Sequence, residues 1–230
     1  MKILDSAPRQ DFDTYIIRPD TQFCLREPGD SLTFIYESGY LPYSGAENLS
    51  NVFYSARSAR ILLPQFELTS ENRRIAKKFD GQFTKERAAH FVPDEVFYDF
   101  CTAYFAQKHG TRAMPRERLT TILNSGLVTK TTIYRSLSRP VAYVLEVEDG
   151  TMSHYWFSFY DLAYAKQSLG LWLMLDALRD AKERGREHYY LGTVYGDKAL
   201  YKTNFKPLQW WDGKGWSGDV SLLKELGRKD

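Results

Sequence analysis

Cysteine is scarce in this chain, with two in 230 residues, Cys24 and Cys101, and they stand far apart. That excludes a disulfide framework and a multi-cysteine metal site. They are expected to be free thiols in a reducing compartment. The four histidines, His90, His109, His154 and His188, form no H-x-x-x-H pair, so no metal site is expected. Long apolar runs are also missing. The run 171–175 is far short of the roughly 20 residues a membrane span needs. Residues 1–10 carry Lys2, Asp5, Pro8 and Arg9 and read as no signal peptide, so a cytoplasmic location without membrane partners is expected. A strong charge bias is absent: the net charge is +2, which excludes a wholesale nucleic-acid coat but permits a local basic patch. No internal repeat or low-complexity tract appears.

What is abundant is aromatic side chain, 15% of the chain, with 16 Tyr and 14 Phe. The first 30 residues, with Pro8, Pro19, Pro28 and Gly29, read as irregular. Residues 30–38 fit helix or strand equally, with Gly39 as the stop, and 52–63 reads as extended. Thr69 or Ser70 caps a short basic helix carrying Arg73, Arg74, Lys77 and Lys78. Pro93 and Asp94 open a helix that Gly110 closes, and 115–124 is a further helix stopped at Gly126. The stretches 131–136, 141–148 and 152–159 are rich in Val, Thr, Tyr, Phe and Trp. With turns at 138–140 and 149–150 they predict an antiparallel meander. A long, mostly buried helix over 167–184, ended by Gly185, a strand over 188–193, a short helix over 197–204 and a last strand over 205–211 complete the pattern. The order β-β-β-α-β-α-β predicts an α/β (α+β) layer with a mixed sheet. A division near residue 125 is expected, into 1–125 and 126–230, with no flexible linker marking it.

Gln167-Ser168-Leu169-Gly170 falls where a strand gives way to a helix. Free backbone N–H groups and the helix dipole bind phosphate at such a place, and Gly permits close approach. This element resembles the Q/R-x-x-G-x-G/A step of acetyltransferases of the GNAT fold, with Trp172 in place of the last small residue. The later run Leu200-Tyr201-Lys202-Thr203-Asn204-Phe205 resembles the acetyltransferase L-Y-x-x-x-G-F element, in which the Tyr faces the scissile bond.

A closer resemblance is to the arginyl-tRNA–protein and leucyl-tRNA–protein transferases. That family carries F-Y-D-P, S-L-G, Y-L-G and K-M-x-Y-K-x-x-F-x-P. This chain has Phe159-Tyr160-Asp161, Ser168-Leu169-Gly170, Tyr190-Leu191-Gly192, and Lys198 with Tyr201-Lys202, Phe205 and Pro207, at similar intervals. In the first half, Phe66 followed by 69–74, ending in Arg73-Arg74, resembles the family's F-x-x-S-R-S-Q-R-R run. Lys108-His109 resembles its R-H step. The likeness covers about residues 22–216. It departs from the family in three places: no cysteine cluster surrounds 54–58, the paired arginines of the G-F/W-R-R-S-G step are absent from 39–45, and Leu162 replaces the proline after Asp161.

The resemblance implies a GNAT-like mixed sheet with flanking helices in the C-terminal half, packed on a smaller N-terminal α+β part. It implies transfer of an amino acid from aminoacyl-tRNA to an amine, a protein or peptide N-terminus or a small acceptor, with no cofactor beyond that co-substrate. An acetyl-CoA-dependent N-acyltransferase and a non-catalytic binder on the same fold are the alternatives. Tyr201 is the candidate proton donor to the leaving ribose oxygen, since a phenol with a reference pKa of about 10 is protonated at pH 7. Asp161 is the candidate holder of an ammonium group. Gln167, Ser168, Leu169 and Gly170, with Lys198, Lys202, Arg73 and Arg74, are the candidate contacts to substrate and to tRNA phosphate.

Overall fold

The computed structural model describes residues 1–4, 21–45 and 51–230. The prolines at 8 and 19, and most of the stretch 1–10, expected to be no signal peptide, lie outside the described residues. The described start is not wholly irregular, because it holds strands β1 (Lys2–Ile3) and β2 (Phe23–Leu25). The ambiguous segment 30–38 is helical, as α1 (Leu32–Glu37): the Ser31 side chain accepts from the Phe34 N–H at its N-terminus. Gly39, at φ +84°, ends it, and a Cβ there would overlap the Trp211 indole, so only glycine fits. β3 (Tyr40–Pro42) and β4 (Val52–Ser55) complete an antiparallel sheet in the order β1-β2-β4-β3. With α1 it buries Phe23, Ile35, Tyr36 and Phe53, joined by Val147, Met152 and Tyr190 from the larger sheet.

After β5 (Ser58–Leu62) comes α2 (Ser70–Phe79), opened by a reciprocal cap in which Thr69 Oγ1 accepts from Asn72 N and Asn72 Oδ1 accepts from Thr69 N. Then follow β6 (Thr84–Ala88), α3 (Glu95–His109), capped by Asp94, and α4 (Arg116–Asn124). The expected meander is β7 (Lys130–Ser136), β8 (Arg139–Asp149) and β9 (Met152–Tyr160). A 3-10 segment, Leu162–Gln167, precedes α5 (Leu169–Glu183). The helix starts two residues later than expected because Ser168 is left-handed, at φ 71° and ψ 34°. The chain ends with β10 (His188–Thr193), a 3-10 segment Asp197–Asn204, β11 (Leu208–Trp211), β12 (Trp216–Ser217) and α6 (Val220–Lys229). The strand expected over 205–211 thus begins later and is not the last.

The large sheet runs β12-β11-β5-β10-β9-β8-β7-β6, and among the described residues only β9 and β10 are parallel neighbours in it. It is the expected mixed sheet. β5 and β6 come from before residue 125, so both halves of the chain contribute to it. Tyr134 bonds Asp176 of α5, while Tyr143, paired across from Ile133 and so on the opposite face, packs on Phe97 and Phe100 of α3. Helices therefore cover both faces. Leu169, Leu173, Leu175 and Leu178 of α5 are fully buried, each worth about 1.5–3 kcal/mol of apolar burial.

Candidate active site

β9 and β10 pair only from His188↔Met152 to Tyr190↔His154. Beyond that they part. Each carries an irregularity at the parting: β10 shifts register against β5 between Tyr190 and Gly192, and β9 bulges against β8, with Tyr155 opposite Glu146 and Phe157 opposite Leu145. Trp156 is the extra residue of that bulge, outside the ladder. The opening holds a cavity of about 650 Å³. Its walls are 154–158 and Tyr160 of β9, 191–193 of β10, Ser168 and the first turns of α5, the end of α3, and Lys198, Tyr201 and Lys202. Leu41, Pro42, Ser44 and Tyr54 of the small sheet and its margin close one side.

The lining carries Lys108, Lys198 and Lys202 with His109 and His154, and among the described residues it includes no carboxylate. Lys108 Nζ donates to Tyr104 Oη at 2.8 Å and Tyr160 Oη at 2.9 Å, and lies over both rings. Lys202 Nζ donates to the Thr193 carbonyl at 2.7 Å, and desolvation lowers it to about 8. His154 Nδ1 lies 2.9 Å from Tyr36 Oη. Burial, and then the Lys202 charge, push His154 down to about 3, so the imidazole is neutral. Burial lowers His109 as well, helped by Lys108 and Lys198. Tyr201 is 41% exposed at the rim, yet desolvation of its phenol, and then Tyr160, raise it to about 12.

Of the residues singled out in the sequence, Ser168, Gly170, Lys198, Tyr201 and Lys202 line this cavity. Gln167 does not, and Leu169 is fully buried in the core. Asp161 also lies outside the lining: it accepts from Ala163 N at 3.0 Å, capping its own 3-10 turn, and pairs with Arg139 at 3.2 Å. Arg73 and Arg74 lie on the exposed face of α2, where Arg74 pairs with Glu71. Trp172 turns into the core, with its Nε1 donating to Asp80 at 2.8 Å and its ring among Phe79, Phe83 and Tyr134. The sequence reading gave no role to His154, Tyr36 or Tyr104. Lys108 and Tyr160 stood out only within stretches resembling the transferase family.

Parallel strands thus part beside the N-terminus of a buried helix, with the Tyr201 phenol at the rim. Residues 73–206, more than half of the chain, match the acetyltransferase (GNAT) domain family, and the chain belongs to it. Over 62 residues it is 45% identical to the aspartate/glutamate leucyltransferase of Sinorhizobium medicae, spanning 26% of this chain and 24% of that protein. It is 26% identical over 174 residues to the protein of the same name from Hyphomonas neptunium, spanning 70% of this chain and 68% of that one. With its namesake in Methylorubrum populi it shares 28% over 178 residues, 69% of this chain and 70% of that one. The solved structure of L-PGS from Bacillus licheniformis shares the fold, with a TM-score of 0.52 at 12% identity, covering 86% of this chain and 70% of that chain. Among the described residues no helix is long and apolar enough to cross a membrane, and no three His, Cys, Asp or Glu are grouped to hold a metal ion.

Proposed function

We propose that the protein moves an aminoacyl group from the 3′ end of a charged tRNA to the α-amine of an acceptor peptide or protein N-terminus. The observation that carries this reading is the cavity between β9 and β10, with three lysines, no carboxylate among its described lining residues, and Tyr201 at its rim. A cationic, aromatic-walled opening suits a single-stranded phosphate-bearing end. Its apolar wall, Phe105, Phe157, Leu171, Met174 and Leu191, suits an apolar aminoacyl side chain. The relatives' name, aspartate/glutamate leucyltransferase, supports leucyl as that group and an acidic residue at the acceptor N-terminus.

In the reaction the ester C–O bond breaks and an amide C–N bond forms. The amine loses a proton and the ribose oxygen gains one. The acceptor amine, with a pKa of about 7.7–8.0, is partly neutral near pH 7.5 and needs no strong base. Tyr201, with its pKa near 12, is the proton carrier for the leaving oxygen. In this reading backbone N–H groups at the Trp156 bulge, where the β8–β9 register shifts, serve the oxyanion. The exposed basic face of α2, with Arg73, Arg74, Lys77 and Lys78, is offered to the tRNA body. The cytoplasm, where charged tRNA is found, is the proposed location.

Acyl-CoA-dependent transfer is the second reading, favoured by Ser168 and Gly170 at the N-terminus of α5 beside the cavity. Incubation with mixed charged tRNAs and, separately, with acetyl-CoA, scored by acceptor mass, decides between them. Gain of an aminoacyl residue only with tRNA is expected. An acetyl gain with acetyl-CoA alone would overturn the proposal.

A further inference from the structure

Gly192 sits on the cavity wall at φ +81°, and the point where a Cβ would stand is 3.5 Å from Lys202 Nζ and 3.8 Å from His154 Nε2. Two nitrogens from different elements thus face one small space that glycine leaves open. Lys202 uses one N–H on the Thr193 carbonyl, and among the described residues no carboxylate pairs with it. An ammonium has three donors. On the other side, Tyr36 is fully buried and its phenol lies 2.9 Å from His154 Nδ1. In the tautomer in which the protonated Tyr36 phenol donates to Nδ1, the imidazole proton sits on Nε2. Both nitrogens are therefore donors, and neither has an anion.

We propose that Lys202 and His154, on the floor made by Gly192, form a carboxylate subsite that reads an acidic side chain of the acceptor. The inference rests on the aminoacyl-transfer reading above and names the residues that choose its acceptor. The groups around the pair are cationic or neutral: Lys198 and Tyr201 from the same 3-10 segment, Tyr155 from β9, Tyr36 from α1, and Lys108 and His109 from α3. A buried cation without a partner is disfavoured, and an incoming carboxylate supplies one. The cavity also has a second cationic pole. Lys108, at the end of α3 and bonded to Tyr104 and Tyr160, is the cation placed for a donor phosphate. The two poles separate donor phosphate from acceptor carboxylate. Lys202 is mostly charged at pH 7 and loses its proton through about pH 8, so carboxylate binding weakens above that pH.

The test uses two acceptor peptides that differ only in N-terminal Glu or Gln. With charged tRNA the wild-type chain is expected to favour Glu by about 10²-fold or more in kcat/KM, chiefly through KM. In Lys202→Met that ratio collapses towards one, and Lys202→Arg restores part of it. A ratio that survives Lys202→Met while affinity for charged tRNA falls would give Lys202 to phosphate and overturn the proposal. If the wild-type chain transfers to neither peptide, the transfer reading fails, and calorimetry of the same peptides still tests the subsite. Tighter binding of the Glu peptide that fades above about pH 8, against a Gln peptide without that step, supports it. Equal binding of the two peptides across pH 6–9 overturns it. That wild-type titration also decides the matter should the Lys202 variants fail to fold.

Discussion

Tyr160 lies so close over Gly170 that a Cβ built on that glycine would stand 2.9 Å from the ring's Cε1. The glycine admits a tyrosine, and the tyrosine's hydroxyl then meets Lys108 Nζ at 2.9 Å. One wall of the cavity thus depends on a missing methyl group. Gly170→Ala is expected to push Tyr160 off α5 at a cost of about 1–3 kcal/mol, the usual range for overpacking. Urea denaturation should show a lower midpoint at an unchanged m value. An unaltered midpoint would show that the ring shifts freely.

Tyr201→Phe keeps the ring and removes the proton. Loss of general-acid help is expected to lower kcat by about 10²–10⁴-fold, with charged-tRNA affinity little changed. The phenol titrates near 12, so Tyr201 should add no limb to the wild-type pH–rate profile between pH 6 and 10. Single-turnover rates within about twofold of wild type would remove Tyr201 from the mechanism.

Where local chemistry decides an element, the sequence was a sufficient guide. Thr69 with Asn72, and Asp94 with Gly110, bound their helices as capping residues do, and the alternation over 130–160 marked the meander. β6 escaped notice because Thr84–Ala88 is an exposed, charged edge strand, made a strand by pairing with β7 rather than by its own pattern. α6 is amphipathic, yet no expected element reaches 220–229. The candidate site was legible where it is local: Ser168, Gly170, Lys198, Tyr201 and Lys202 fall within 35 residues of chain and share the cavity. Lys108 joins it, and Tyr36 reaches His154 behind it, only because α3 and α1 fold back over β9, which no spacing announces. Asp161 shows the converse: a carboxylate placed well in sequence is used by its own turn.

Away from the cavity, Lys130 is buried among carboxylates, 2.7 Å from Glu146 and 2.8 Å from Asp180. Burial alone would raise Asp180, but Lys130, Arg184 and Arg87 more than offset it. Glu148 is likewise held low, by Arg184, Lys130 and Arg186 against its burial. Groups with depressed folded pKa values stabilise above their unfolded pKa of about 3.9–4.3, and that stability is lost as pH falls through the folded values. Glu146, which burial raises, works in the opposite sense. Lys130→Met is expected to cost about 3–5 kcal/mol at pH 7, because it leaves the fully buried Glu146 without its cation, while Asp180 keeps Arg87 and Arg184. It should also flatten the acid limb of stability against pH. Urea midpoints measured from pH 3 to 8 check both, and a loss under 1 kcal/mol would count against the network.

A coenzyme A pyrophosphate needs the free N–H groups at the start of α5 and room to approach them. Trp172 does not obstruct them, since its indole is turned to Asp80 and the core. Tyr160 does: its ring occupies the space beside Gly170, and Lys108 holds it through the hydroxyl and by lying over the ring. Moving that ring would break a charge-assisted hydrogen bond and uncover apolar surface, so a diphosphate has no ready seat. Titration calorimetry is therefore expected to show no saturable acetyl-CoA binding up to about 1 mM, a free energy weaker than about −4 kcal/mol. Tyr160→Ala should open the turn and raise the affinity measurably. Micromolar acetyl-CoA binding by the wild-type chain would mean that Tyr160 swings aside at little cost, and the acyl-CoA reading would then take first place.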